Sequence, residues 1–280
     1  MMAIACLACS AHADDFFFDS AGVRIHYILE GKGEPVVLVH GFGANIAVNW
    51  GKPGIIQALA RSYQVIALDD RGHGQSEKPH DPEAYRGQMA EDVIRLMDHL
   101  KIKQAHVVGY SLGGFITMTL LATHPERLRS AIVAGAGWSA TGLGTYQPMI
   151  DRLAVALEQG QGLGPLVTML APGGDTPAGG EPIEAANRAL LARNDPVALA
   201  AVLRSMFADQ PSEATLRANK VPVLALVGEQ DLMHSWAEAL ARTAPNVELR
   251  VIPGANHLSA PTNPEFLSRL QTFLAQQSTK

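Results

Sequence analysis

Cysteine is almost absent from this chain: two residues in 280, Cys6 and Cys9, both within the first ten. A chain beginning after them holds none. A fold of this length needs no disulfide in any compartment, so cysteine usage does not place the protein. Basic runs are also missing, and the net charge of -5 argues against nucleic acid as a partner. No apolar stretch reaches the ~18 residues that a membrane span needs. No GxGxxG or Walker sequence occurs, and the ten histidines are scattered without metal-ligand spacing. Neither a cofactor nor a metal is therefore expected.

What remains is a chain rich in aliphatic residues, 47% hydrophobic and 18% charged, long enough for one large α/β domain or two small ones. Its first residues are small and apolar, and Ala11-His12-Ala13 before Asp14-Asp15 reads as an A-x-A cleavage site. Residues 1–13 are thus expected to be a signal-peptide remnant on a periplasmic or secreted protein. The competing reading is a stub on a cytoplasmic one, because no Lys or Arg precedes the short apolar part.

Strand and helix patterns alternate along most of the chain. Val23–Leu29 alternates like a strand, and Val36–Val39, Val65–Leu68, Ala105–Val108, Ser130–Ala134 and Val223–Val227 are short apolar runs of the kind buried in a parallel sheet. Val247–Ile252 adds a further strand. Helical patterns fall at 54–60, 85–100, 112–124, 236–244 and 264–275. The rhythm is that of a doubly wound, mostly parallel sheet. From Trp138 to Pro211 it changes to helical periodicity with Gly/Pro-rich breaks, so residues 138–211 are expected to be an inserted helical lid. Residues 14–137 and 212–280 form the core.

The chemistry is carried by Gly109-Tyr110-Ser111-Leu112-Gly113, which lies between an apolar strand and a helix. A serine there sits on a turn so sharp that only glycines fit beside it, and its hydroxyl projects at the carboxyl end of the strand. A serine hydroxyl needs a base to take its proton, and the base needs an acid to orient it. Asp231 follows one later strand and His257 follows the next, in the order Ser111, Asp231, His257. All three fall at the carboxyl ends of strands, where open α/β sheets place their sites. Singly, Asp231 could be a helix cap and His257 a loop residue. Glu229 and Asp209 are rivals for the acid. The oxyanion would be met by the N–H groups of Leu112 and Phe42, the latter in His40-Gly41-Phe42-Gly43. His40 and His73 read as structural residues bonded to backbone.

With these residues in view, the chain resembles the α/β-hydrolase superfamily from about Val23 to Ala275. The carriers are His40-Gly41-Phe42-Gly43, Asp70-Arg71-Gly72-His73-Gly74-Gln75-Ser76, Gly109-Tyr110-Ser111-Leu112-Gly113-Gly114, Gly228-Glu229-Gln230-Asp231 and Gly254-Ala255-Asn256-His257. The resemblance implies an eight-stranded core with a lid after the sixth strand, and it supports Phe42 and Leu112 as oxyanion donors. Haloalkane dehalogenases and soluble epoxide hydrolases carry Asp where this chain has Ser111. Meta-cleavage C–C hydrolases usually follow the oxyanion loop with Pro-Gly-Ala, where this chain has Ala44-Asn45.

The expected function is hydrolysis of small to medium, mostly apolar carboxylic esters through an acyl-enzyme. Lactone or C–C bond hydrolysis by the same residues is the alternative, and small-ligand binding without turnover is the reading of another class. Trp138, Met149, Leu153, Met206 and Phe207 are candidate pocket residues. Arg152, Arg188, Arg193 and Arg204 would favour a carboxylate-bearing substrate if one faced inward.

Overall fold

The computed structural model describes residues 14–142, 144–164, 166, 170 and 180–278. The signal-peptide reading of residues 1–13 lies outside them. Eight strands form one sheet in the order β1-β2-β4-β3-β5-β6-β7-β8. They are β1 (Asp14–Ser20), β2 (Val23–Glu30), β3 (Glu34–Val39), β4 (Tyr63–Leu68), β5 (Ala105–Tyr110), β6 (Leu128–Ala134), β7 (Val223–Gly228) and β8 (Val247–Ile252). The first two pairs, β1 with β2 and β2 with β4, are antiparallel, and every later pair is parallel.

Side-chain alternation along each strand separates two cores. Val37, Val39, Val107, Val133, Ala225 and Val227 face one way, toward α2 (Gln88–His99) and α3 (Leu112–Thr123). Val36, Leu38, Val108, Ile132, Leu224 and Leu226 face the other, toward Trp50, α1 (Ile55–Leu59) and α9 (Pro264–Gln277). β5 and β7 are buried along their whole length. Each buried aliphatic side chain contributes about 1.5–3 kcal/mol by leaving water. The carboxyl ends of β3, β5, β7 and β8 are thereby fixed as a rigid frame.

Between β6 and β7 the described residues form helices and no strand: α4 (Gln147–Glu158), α5 (Gly180–Leu191) and α6 (Pro196–Ser205). The first and last pack on each other through Ile150, Leu153, Ala154, Leu157, Leu199 and Leu203. A short helix, α7 (Glu213–Ala218), precedes β7, and α8 (His234–Thr243) joins β7 to β8.

Some boundaries differ from the pattern reading. β1 is an additional strand, paired with β2 so that Phe16 lies opposite Tyr27; its sequence, Asp-Asp-Phe-Phe-Phe-Asp-Ser, does not alternate. α2 starts at Gln88, not Tyr85, because Gly87 in the left-handed region (φ 63°) breaks the path from the preceding 3-10 turn. Among the described residues no helix is long and apolar enough to cross a membrane, and no cluster of His, Cys, Asp or Glu could hold a metal ion.

Candidate active site

Ser111 stands at the junction of β5 and α3 with φ 54° and ψ -113°, a conformation that L-residues avoid and that costs on the order of 1–3 kcal/mol. The glycines around it are required sterically. A Cβ on Gly109 would lie 1.9 Å from the Gly113 carbonyl oxygen, and one on Gly113 would lie 2.0 Å from that of Val39. The Ser111 N–H donates to Ala134 O (2.8 Å), tying the turn to β6.

The loops after β7 and β8 bring the other two residues to it. Gly228 lets them touch, since a Cβ there would meet Ala255 O at 2.3 Å, and the Gln230 N–H donates to Ala255 O (2.9 Å). The Asn256 side chain shapes the following turn by accepting from the Leu258 and Ser259 amides (both 3.0 Å). His257 Nδ1 then lies 2.8 and 3.0 Å from the two Asp231 carboxylate oxygens, and its Nε2 lies 2.9 Å from Ser111 Oγ. An ionised carboxylate only accepts, so Nδ1 carries the proton and Nε2 is left to accept from the serine hydroxyl. Both Asp231 and His257 are buried.

The two readings of Asp231 are compatible: Oδ1 also accepts from the Met233 amide (2.9 Å) at the start of α8. Its rivals are engaged elsewhere. Glu229 accepts from the Gly254 N–H (2.8 Å) and Asp209 from the Gly87 N–H (2.7 Å).

The loop after β3 lies against the serine. A Cβ on Gly41 would be 3.3 Å from Ser111 Cβ, and the Gly113 N–H donates to His40 O (3.0 Å). The Gly41 amide is taken by Asn49 Oδ1 (2.8 Å). The Gly41 carbonyl accepts from His40 Nδ1 (2.8 Å) and from the Ala44 N–H (3.1 Å). The Phe42 amide follows in this pinned turn. Leu112 supplies the first amide of α3, and the first four amides of a helix have no partner within it.

His40 Nε2 accepts from the Asp70 N–H (3.0 Å), so both its ring nitrogens hold backbone. His73 donates from Nδ1 to Arg71 O (3.1 Å); burial pushes its pKa down to about 3, so it stays neutral. The two aspartates beside it diverge. Burial opposes ionisation of Asp69, but the His26 hydrogen bond, nearby His40 and the Ile46 and Gln75 amides outweigh it and hold Asp69 at about 2. Asp70 has no hydrogen-bond partner for either carboxylate oxygen among the described residues. Burial pushes it up to about 7 against the pull of His40, with Asp92 and Asp69 adding to the rise.

Ser111 and His257 line a cavity of about 240 Å3, small beside the ~300–1,000 Å3 common for ligand sites. Of the residues expected in it, Met149, Met206 and Phe207 are there, together with the Phe42 side chain. Trp138 and Leu153 are not. The Trp138 indole is buried in the main core, donating to Pro211 O (2.9 Å), and Leu153 faces inward between α4 and α6. Among the described residues no Lys or Arg lines the cavity. Arg152 and Arg188 are exposed, Arg204 pairs with Glu158 (2.8 Å), and Arg193 borders a separate cleft beside Asp15 and Glu30. The pattern reading missed Tyr110, Asn49, Tyr146 and Trp236, which also line the cavity. Tyr110 was open to view as the variable residue of the serine motif; the other three carry no local signal.

Residues 34–162 match the family model described as alpha/beta hydrolase fold. The 2-hydroxymuconate semialdehyde hydrolase of Pseudomonas sp. (strain CF600) is 36% identical over 118 residues, 41% of each chain, so the match spans about two fifths of that relative's length. Two solved structures align along nearly the whole chain. A hydrolase from Pseudomonas aeruginosa PA01 has a TM-score of 0.79 at 26% identity, covering 93% of this chain and 98% of its own. Est816, described as an N-acyl homoserine lactone degrading enzyme, has a TM-score of 0.76 at 29% identity, covering 92% and 99%. Strand order, a strained serine between β5 and α3, and these likenesses together show that the chain has the α/β-hydrolase fold.

Proposed function

We propose that this protein is a serine hydrolase that cleaves carboxylic esters of small to medium, mostly apolar substrates. The observation that carries the reading is the continuous line from Asp231 through His257 to Ser111 on the wall of an apolar cavity. Ser111 Oγ attacks the ester carbonyl carbon while its proton passes to His257 Nε2 and the carbonyl π pair moves onto oxygen. The Phe42 and Leu112 amides receive that oxyanion, each contributing about 3–4 kcal/mol to the barrier reduction. Collapse expels the alkoxide, which leaves with the proton from His257, and the acyl group stays on Ser111. A water then gives its proton to His257 as its oxygen adds to the acyl carbon. The acid is released and Ser111 recovers the proton. Throughout, Asp231 holds the Nδ1–H tautomer and stabilises the transient imidazolium.

Residues 138–211 serve as the lid. Met149, Ile150, Leu203, Met206 and Phe207 roof the serine with apolar groups, which strengthens the electrostatics beneath by excluding water. A lactone is an ester closed on itself and needs no added residue, so lactones belong to the same substrate range, in keeping with the description of Est816. Dienoate substrates of C–C hydrolases carry a carboxylate, and the cavity offers no cationic side chain among its described lining. That observation favours esters and lactones.

The test is hydrolysis of p-nitrophenyl acetate, butyrate and octanoate and of a γ- and a δ-lactone, by wild type beside Ser111→Ala. Turnover that disappears in the variant, strongest for the short acyl chains the cavity can hold, supports the reading. Equal inertness of both proteins toward every ester and lactone overturns it.

A further inference from the structure

The turn that carries the Phe42 amide is held from below by the core: Gly113 N–H on His40 O, Asn49 on the Gly41 amide, and His40 on the Gly41 carbonyl. It is also held from above, by the helices inserted between β6 and β7. Asn194, in the link between α5 and α6, donates from Nδ2 to Gly43 O (3.1 Å) and to Leu190 O (3.0 Å). Leu190 sits over Gly43, whose Cβ would meet Leu190 Cδ1 at 3.1 Å. Gly43 itself is in the left-handed region at φ 68°, where a side chain would be strained. The Phe42 side chain packs against the same helical cluster.

The next residue fastens this contact. Asp195 Oδ1 accepts from the Val197 and Ala198 amides (2.9 and 3.1 Å), capping α6. Its other oxygen meets His80 Nε2 at 2.9 Å, in the core loop before α2. Residues 194 and 195 therefore grip the core at two points, and one of them is the oxyanion turn.

From this geometry we propose that Asn194 is a positioning residue that holds the oxyanion turn. It holds the Gly43–Ala44 peptide by its carbonyl, and the N–H of that same peptide donates to Gly41 O (3.1 Å), the carbonyl of the peptide that carries the Phe42 N–H, so the oxyanion site is complete only while the inserted helices are seated. The inference rests on the ester-hydrolase reading above. It adds that the inserted segment supports the reaction centre as well as roofing it.

Loss of the tie should weaken what Phe42 does in the transition state and leave ground-state binding alone. A full oxyanion donor is worth about 10²–10³ in kcat, so a misaligned one should cost roughly tenfold. The experiment compares wild type, Asn194→Ala and Asn194→Asp. Readouts are kcat and KM on the best ester, Tm, the rate of fluorophosphonate labelling of Ser111, and the Ki of an aryl trifluoromethyl ketone. That ketone forms a Ser111 Oγ–C bond; the serine proton passes to His257 and the carbonyl π pair becomes an oxyanion.

The expected result is a fall of about tenfold in kcat with KM within twofold, a matching weakening of the ketone, and a larger loss in Asn194→Asp, whose carboxylate repels the Gly43 carbonyl. Unchanged kcat and Ki in both variants, with or without a lower Tm, would assign Asn194 a structural role and overturn the proposal. A wild type that neither turns over an ester or lactone nor labels with the fluorophosphonate would instead remove the hydrolase reading, and this inference with it.

Discussion

The Tyr110 hydroxyl donates to the backbone carbonyl of His257, and its ring lies 5.3 Å from the imidazole, centroid to centroid. The residue before the nucleophile thus anchors the loop that carries the proposed base. Gly135 makes room for this: a Cβ there would stand 2.9 Å from Tyr110 Cζ and 3.2 Å from His257 Cε1. Burial, with nearby Asp231, pushes the phenol pKa far above its ordinary value, so the group remains a donor across the working pH range.

Asp231 fixes the imidazole through its ring nitrogen, and Tyr110 fixes the same residue through its backbone. Tyr110→Phe keeps the ring and deletes the donor, leaving a buried carbonyl unpaired at a cost of about 1–3 kcal/mol. The expected outcome is a Tm lowered accordingly and a kcat lowered several-fold, with KM little changed. Steady-state kinetics on a p-nitrophenyl ester beside a thermal melt checks it; a wild-type kcat in a destabilised variant would confine Tyr110 to stability.

Asp70 imposes a pH dependence on stability. Its ordinary value is 3.8, and burial raises it to about 7 in the fold. Below about pH 4 both states are protonated and no cost arises. Between 4 and 7 the unfolded chain releases a proton that the folded chain retains, so the Asp70 contribution falls as pH rises and levels off above 7. His73, held down at about 3, contributes in the opposite sense, so the two partly cancel in the wild type. The difference between proteins separates them. Asp70→Asn should be near neutral at pH 4 and more stable than wild type by roughly 4 kcal/mol at pH 8, at about 1.36 kcal/mol per unit of the rise. Urea unfolding at both pH values measures this, and a difference independent of pH would mean that Asp70 is ionised in the fold.

Where the sequence was readable, one segment carried its own signal. β5 and β7 announce themselves as apolar runs and β8 as an alternating one (Val-Glu-Leu-Arg-Val), and Ser111, Asp231 and His257 each follow one of these strands within a few residues. The structure brings those three side chains together as the order implied. β1 was hidden because three successive phenylalanines among aspartates show no period of two; only pairing with β2 makes them a strand. The pocket was half hidden for a related reason. Helical periodicity marks Leu153 for burial but not what buries it, and Trp138 lies in no helix. Leu153 turned out to pack between helices, and Trp138 to bond Pro211 O across 73 residues. Asn49 and Asn194 were unreadable, since their meaning lies in backbone groups of a loop distant in sequence.

Gly109 tests the elbow without touching a reacting group. A Cβ at this position would sit 1.9 Å from Gly113 O and 2.4 Å from Thr117 Oγ1. The first is backbone and cannot yield. Gly109→Ala must therefore push α3 away from β5, and the expected outcome is loss of soluble protein, or a destabilisation above about 4 kcal/mol. By contrast, Gly142→Ala meets nothing within 4 Å and carries only the penalty of its φ of 59°, about 1–2 kcal/mol. Denaturant curves for the pair distinguish close packing from backbone strain; a Gly109→Ala protein as stable as Gly142→Ala would mean that β5 and α3 do not approach this closely.

Met206 and Trp138 separate the wall of the cavity from the core behind it. Met206 faces the serine, and shortening it to Ala enlarges the acyl space by about three heavy atoms' worth of room. Longer p-nitrophenyl esters should gain: the octanoate-to-acetate ratio of kcat/KM should rise by about tenfold, since each buried methylene is worth ~0.8 kcal/mol. Trp138→Phe removes the hydrogen bond to Pro211 O and part of the core volume, for about 1–3 kcal/mol of stability. It leaves the chain-length ratio as in wild type, because the indole does not line the cavity. If the Trp138 variant shifted the ratio and the Met206 variant did not, the acyl group would lie on the far side of α8, and the cavity beside Ser111 would not be where substrate binds.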